Sequence, residues 1–245
     1  MKTGQYHRRL YRDWVKAGDL HHAHVIAPET DLQILTNKPL DKDVVIEHVR
    51  HYRWDIDHYI ADNRRFLAAL KPLAVDPQAP PIIQAMAQAS SLANSGPMTA
   101  VAGTITQFLG NDLLKLGFKE VIVENGGDIF LKTRRIRRVG IYTGNTRRWT
   151  NLALEIRPKD TPLGLGTFSG TIGHSLGFSC ADSVVIISKD VSLADALATA
   201  TANLVHDKKD LPRALTFAQS VRGVVGVVII LKNNLVSAGS VTLVE

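Results

Sequence analysis

The chain has 245 residues, 45% of them hydrophobic and 21% charged, with a formal net charge of +6. That length can bury a sizeable core in one domain or two intimately joined lobes, and the composition excludes a disordered chain. The single cysteine, Cys180, excludes an intrachain disulfide and a thiolate zinc cage, and no stretch approaches the roughly twenty apolar residues of a membrane helix.

Met1 to Arg9 is basic with no apolar stretch behind it, so no secretory signal is read there and a cytoplasmic protein is expected. Residues 10–37 read as two or three short strands, with turns at Gly18-Asp19 and Pro28-Glu29. From Asp41 to Leu70, Val45, Val49, Tyr52, Ile56 and Ile60 recur at helical spacing, which predicts one long amphipathic helix. Pro72, Pro77, Pro80 and Pro81 then interrupt the chain. The expected organisation is a single domain over 1–245 with sub-lobes 1–75 and 80–245 on either side of that break.

Pro81 to Leu116 is rich in small residues and predicts two closely packed helices, split at Ser95-Gly96-Pro97 and ending at Gly117. Strands are predicted near 120–124, 128–132, 136–142 and 151–157. Gly164 to Gly173 is too glycine-rich to be one regular element throughout. Ser183 to Ser188 reads as a buried strand, Ser192 to Leu204 as a helix and Pro212 to Gln219 as a short helix. Val224 to Leu231 and Leu235 to Val241 form a final hairpin. This order favours an α+β fold, with mixed or antiparallel sheets and packed helices, over a doubly wound sheet.

The most informative stretch is Val121 to Leu131. Two apolar runs flank Asn125-Gly126, a pair suited to the positive-φ positions of a type I′ hairpin turn. The turn leaves Gly127 and Asp128 unexplained. Adjacent glycines admit a ligand against bare backbone, and the neighbouring carboxylate can bind a hydroxyl or a metal. Further on, Asp195 and Thr199 are four apart on a predicted helix, so their oxygens can share one hard cation such as magnesium. The competing reading makes Ser192 and Asp195 a capping box at the helix start. His174, in the glycine-rich segment, is either a general base or an ordinary surface histidine.

Lys132 to Arg148 holds seven cations and no acid. A charged edge strand, a clamp for cofactor phosphates and a nucleic-acid surface all fit that run. Nucleic acid ranks last, because few aromatics are interleaved and no recognised module surrounds it. Histidines cluster at His21, His22 and His24, and again at His48, His51 and His58 with Asp55. Both clusters fit either a polar stripe or a transition-metal site.

Glu124-Asn125-Gly126-Gly127-Asp128-Ile129 resembles the Asn-x-Gly-Gly-Asp-Ile signature of the ApbE family, whose members bind FAD and transfer FMN to a protein threonine. Asp195-Ala196-Leu197-Ala198-Thr199-Ala200 is similar to that family's Asp-Ala-Leu-Ala-Thr-Ala helix, and Thr167-Phe168-Ser169-Gly170 followed by His174 resembles its Thr-Ser-Gly segment and histidine. The matches run in the family's order over roughly Gly96 to Val205; the first ninety residues match only in general character.

The resemblance implies an ApbE-like fold, a flavin or nucleotide site at Asn125, Gly126, Gly127, Asp128, Thr167, Ser169 and Gly170, and a magnesium site at Asp195 and Thr199. His174 would be the catalytic base, and a protein would accept the FMN. Magnesium-dependent FMN transfer from FAD, or hydrolysis of the FAD pyrophosphate, is the expected activity. A non-catalytic flavin or nucleotide carrier and an enzyme reusing the pocket for another substrate are the alternatives. Three departures bear on these expectations. Ser175-Leu176 stands where the family has Asp-Pro, the lysine of the family's Gly-Gly-Ile-Ala-Lys-Gly stretch is absent from Gly96 to Gly103, and no N-terminal cysteine offers a lipid site.

Overall fold

A computed structural model describes residues 17–27, 29–143, 147–149, 151–170 and 179–245. Among them, six α-helices and eleven strands form two sheets, and every described strand pair is antiparallel. The fold is α+β.

The larger sheet has eight strands. In spatial order they are β1 (His21–Ala27), β2 (Thr30–Thr36), β3 (Val121–Asn125), β4 (Asp128–Lys132), β7 (Leu163–Ser169), β8 (Ser183–Ser188), β9 (Val224–Leu231) and β10 (Asn234–Gly239). The first two strands therefore pair directly with the hairpin that carries the central motif. A three-stranded sheet, β11 (Leu243–Val244), β6 (Ala153–Ile156) and β5 (Arg137–Gly140), covers part of one face.

Alternation along the strands divides the core in two. Val121, Val123 and Phe130 point to the helical side, while Ile122, Ile129 and Leu131 point to the small sheet. β8 is buried along all six residues because both its faces are covered.

The helices α1 (Lys42–Asp62), α2 (Arg64–Ala68), α3 (Pro81–Ala93), α4 (Val101–Lys115), α5 (Val191–Ala202) and α6 (Leu211–Ser220) contribute to the first core. The long helix predicted to reach Leu70 stops at Asp62, where Asn63 leaves the helical region and only a short α2 follows. Asp41 caps α1 by accepting from the Asp43 N–H. The prolines act differently from one another: Pro81 starts α3, at the position where a missing N–H costs nothing. Asn94 closes that helix in the left-handed conformation.

α5 is the helix nearest the centre. It packs on β7 and β8 and against α3 and α4, and ten of its twelve residues are buried. Gly164 and Gly166 make that approach achievable, because a Cβ at 164 would stand 2.8 Å from the Val191 nitrogen and one at 166 would run into the Ala194 carbonyl. The glycine-rich segment is thus a regular strand over Leu163–Ser169, its glycines set by helix packing.

Candidate functional site

The β3–β4 hairpin sits where α4, α5 and β7 converge. Asn125 pairs with Asp128, so the turn's central residues are Gly126 and Gly127, with φ of +66° and +107°. The expected assignment of the turn to Asn125-Gly126 is therefore one residue early. Asn125 is the last strand residue, and the second glycine supplies the other left-handed position. Glycine at 127 has a second cause, since a Cβ there would run into Thr167 Oγ1. Glu124 stabilises the turn by accepting a 2.8 Å bond from the Gly127 N–H.

On the helical face the hairpin meets α5. Asp128 and Asp195 are both buried and hydrogen-bonded to each other. Asp128 Oδ1 also accepts from the Thr167 N–H at 3.0 Å, and Asp195 Oδ2 accepts from the Gly103 N–H at 2.8 Å. Burial pushes Asp195 up to about 7, against the opposing pull of its bonds from Gly103 and Asp128. Asp128 lies well above the ordinary carboxylate range, first through burial and second through the charge of Asp195. Two carboxyls this close in a dry site share a proton rather than ionise together.

The capping-box reading of Asp195 is overturned. The α5 N-cap is Asp190, which accepts from the Ser192 N–H, and Gln107 Oε1 satisfies the Val191 N–H. Asp195 is left facing the hairpin, with Thr199 one turn further on and half-buried. Such a donor set suits a hard divalent cation, because two buried carboxyls held together by a proton exchange that proton for a metal as pH rises.

Asn125 points to the same face, where its Nδ2 donates to the Ala102 carbonyl at 3.3 Å. Ser169 and Gly170 close the β7 end. His174 lies outside the described residues.

The opposite face of the hairpin opens into a cleft between the two sheets, with an empty volume of about 870 Å³ counted to its mouth. Leu35, Ile122, Ile129 and Leu165 give it an apolar floor, Tyr142 and Phe168 are among its aromatic lining, and Glu124, Gln33 and Thr167 are polar. Gly126 and Gly127 form the rim between cleft and carboxyl pair. Sequence reasoning missed Glu124, Gln33 and Gly103. The signal for Glu124 was present, because it occupies the asparagine position of the Asn-x-Gly-Gly-Asp pattern.

Several of the other candidates have structural partners. Arg137, 4% exposed, donates to Asp19 at 2.5 and 3.0 Å and to Glu120 at 2.9 Å, so it is not a clamp for a ligand. β5 is an edge strand of the small sheet, as the charged-edge reading expects. His48 bonds the Val44 carbonyl and His58 the Trp54 carbonyl. No group of three or more His, Cys, Asp or Glu side chains placed to hold a metal occurs among the described residues. Among them, no helix is long and apolar enough to cross a membrane.

Comparison with known proteins decides the family. A family model described as AbpE bacteria matches residues 12–235. The chain belongs to that family. It is 34% identical over 214 residues to a UPF0280 protein of Methanococcus aeolicus, spanning 86% of each chain. A UPF0280 protein of Methanospirillum hungatei is 38% identical over 200 residues, 81% of this chain and 82% of its own.

Solved structures share the fold at low identity. Flavin transferase ApbE from Vibrio cholerae superposes with a TM-score of 0.60 at 13% identity, over 90% of this chain and 98% of that one. Flavinyl transferase ApbE of Pseudomonas stutzeri, in its apo form, gives 0.59 at 15% identity over 89% and 94%. The AbpE-family chain is thus a divergent member of the ApbE-like superfamily with an ApbE-like fold.

Proposed function

We propose that this protein binds a flavin nucleotide, FAD in the first place, across the Gly126-Gly127 rim and acts on its pyrophosphate with magnesium, either passing FMN to a protein hydroxyl or hydrolysing FAD. The observation that carries this is the buried Asp128–Asp195 pair beside a hairpin tip without Cβ atoms. Magnesium, when bound, would supply charge neutralisation between the two phosphates.

The residues of the chain provide the rest. Asp128 and Asp195, with Thr199 one turn away, would hold the cation, and the Gly103 and Thr167 N–H groups keep the two carboxyls oriented. Gly126, Gly127, Ser169 and Gly170 would let the diphosphate approach backbone, and Asn125 braces the hairpin on α4 through Ala102. The proton step falls to His174, by resemblance, or to a bound water. Continuous pairing of β1 and β2 with β3 supports treating 1–245 as one domain; the cytoplasm is its proposed site of action.

A second reading, a nucleotide carrier without turnover, is favoured by one feature. The lysine expected by resemblance is absent, and at Ala102 the backbone carbonyl is occupied by Asn125. Incubation with FAD and magnesium, followed by chromatography for AMP and FMN, separates the two. AMP release that is lost in Asp195→Asn supports the enzyme. Tight FAD binding without AMP supports the carrier, and no FAD binding with or without magnesium overturns both.

A further inference from the structure

The small sheet ends in a strand with one unpaired edge. β6 lies between β11 and β5, and among the described residues no strand pairs with the far side of β5. Register couples Arg137 to Ile156, Arg138 to Glu155, Val139 to Leu154 and Gly140 to Ala153, and the ladder continues as the Ile141 N–H donates to the Leu152 carbonyl at 2.8 Å. Hydrogen-bonded pairs alternate along antiparallel strands, so the bonds to β6 fall at 137, 139 and 141. Glu155 agrees with that phase, because its N–H turns the other way, to the Thr242 carbonyl at 2.9 Å. The backbone N–H and C=O groups of Arg138 and Gly140 therefore point off the edge.

The side chains along this edge carry one sign of charge. Arg134, Arg135 and Arg138 are exposed, whereas Val139 and Ile141 turn into the core between the sheets. Arg135 pairs with Asp19, and Arg137 is taken up by Asp19 and Glu120. Among the described residues Arg134 and Arg138 make no ion pair, and Glu155, across from Arg138, is held by Arg157 at 3.4 Å. Ile136 stands among these cations, 58% exposed. Charge on an edge strand ordinarily opposes pairing. Charge of a single sign opposes pairing with a second copy of the same strand but attracts a strand of opposite sign.

We propose that the free edge of β5 docks an extended acidic segment of another protein, added to the small sheet as a further strand. Its backbone pairs with the outward groups of Arg138 and Gly140, its carboxylates meet Arg134 and Arg138, and an apolar side chain covers Ile136. A polypeptide fits this edge better than other polyanions. The edge alternates donors with acceptors, and the phosphates of a nucleic acid or a lipid surface can take only the donors while the carbonyls repel them. Gly140 also lines the cleft, so a strand added one spacing away, about 4.8 Å, runs beside it. Docking here needs neither the nucleotide site nor turnover.

The probe is a fluorescein-labelled, end-capped Glu-Val-Glu-Val-Glu-Val-Glu peptide, titrated with the whole protein at low ionic strength and followed by fluorescence anisotropy. Wild type is expected to bind it at least about tenfold more tightly than the matching Lys-Val peptide. Arg134→Ala should weaken binding about twofold to fivefold, the scale of one exposed ion pair. Arg138→Ala removes a charge and keeps the outward N–H. Arg138→Pro removes both, at a position where β6 loses no bond, and should bind at least about fivefold more weakly than Arg138→Ala. Melting temperatures check that both variants fold. The same bonds are tested on wild-type protein with a peptide N-methylated at every amide, which keeps the carboxylates, cannot donate, and should also bind at least about fivefold more weakly. No binding of the acidic peptide, equal binding of its N-methylated form, or equal affinity in folded Arg138→Ala and Arg138→Pro overturns the docking strand. Tighter binding of an oligothymidylate or of phosphatidylserine vesicles than of the peptide overturns it in favour of a general polyanion surface.

Discussion

The Gly103 N–H donates to Asp195 Oδ2 at 2.8 Å across 92 residues of sequence, and a Cβ at 103 would stand 2.6 Å from Asp195 Cβ and 2.5 Å from the Val191 carbonyl. Glycine at 103 thus gives α4 its close approach to α5 and fixes one side of the carboxyl pair. Gly103→Ala should separate the helices, at an overpacking cost of about 1–3 kcal/mol. Thermal melts should report that loss, and magnesium titration should show weakened binding. A variant with wild-type stability and wild-type metal affinity would mean the seam yields without moving Asp195.

The carboxyl pair makes stability depend on pH with a definite sign. Asp128 and Asp195 are raised in the folded protein by burial and, for Asp128, also by its neighbour's charge. Between about 4 and 7 the folded state therefore holds a proton that the unfolded chain has released, and stability falls as pH rises through this window. For Asp195 alone, a value near 7 against an ordinary 3.8 corresponds to on the order of 4 kcal/mol. Asp128→Asn should flatten the decline, as measured by urea unfolding across that range. Magnesium should reverse it, because the cation competes with the shared proton. A wild-type profile no steeper than that of Asp128→Asn would sink the shared-proton account.

Much of the architecture was legible because local signals agree with tertiary demands. Pro81 and Gly117 bound the α3–α4 region where composition places them, with the break close to the expected Ser95-Gly96-Pro97, and the two hairpin strands follow from the apolar runs even though the turn lies one residue later than Asn125-Gly126. The failures share a physical origin in contacts distant along the chain. Asp195 looked like a cap because Ser192 lies three residues before it, and only the arrival of Gly103 and Asp128 from elsewhere assigns it otherwise. Arg137 looked like a surface charge because its partners, Asp19 and Glu120, are 118 and 17 residues away. The cleft was invisible for the same reason. Its walls belong to two sheets, and no single segment carries more than a few of its residues.

Two glycines separate packing from turn geometry. Gly166 lies where a Cβ would enter the Ala194 backbone, and backbone cannot swing away as a side-chain tip can. Gly126 has open space around its missing Cβ, but its φ is +66°. Gly166→Ala should abolish folding or lower stability beyond the usual 1–3 kcal/mol of overpacking. Gly126→Ala should cost only the left-handed penalty of about 1–2 kcal/mol, and Gly126→Asn less. Soluble yield and circular-dichroism melts of the three variants give the ranking. Equal losses at 166 and 126 would show that α5 can lift from β7.

The buried guanidinium offers the sharpest test of the basic segment. Arg137 holds Asp19 and Glu120 together, and Thr133 Oγ1 donates to the same Glu120 carboxylate at 3.1 Å, so β5 is tied to the chain before β1 and to the start of β3. Removing one member of a buried ion network leaves the remaining charges without compensation, typically at a cost of 3–5 kcal/mol. Arg137→Met should therefore lower stability by about that amount, while Arg137→Met combined with Glu120→Gln should recover part of it. Asp19 is more exposed, and Asp19→Asn should cost less. Nucleotide affinity should stay at wild-type level in every variant that remains folded. The opposite pattern, full stability with affinity lost, would return Arg137 to the role of a phosphate clamp.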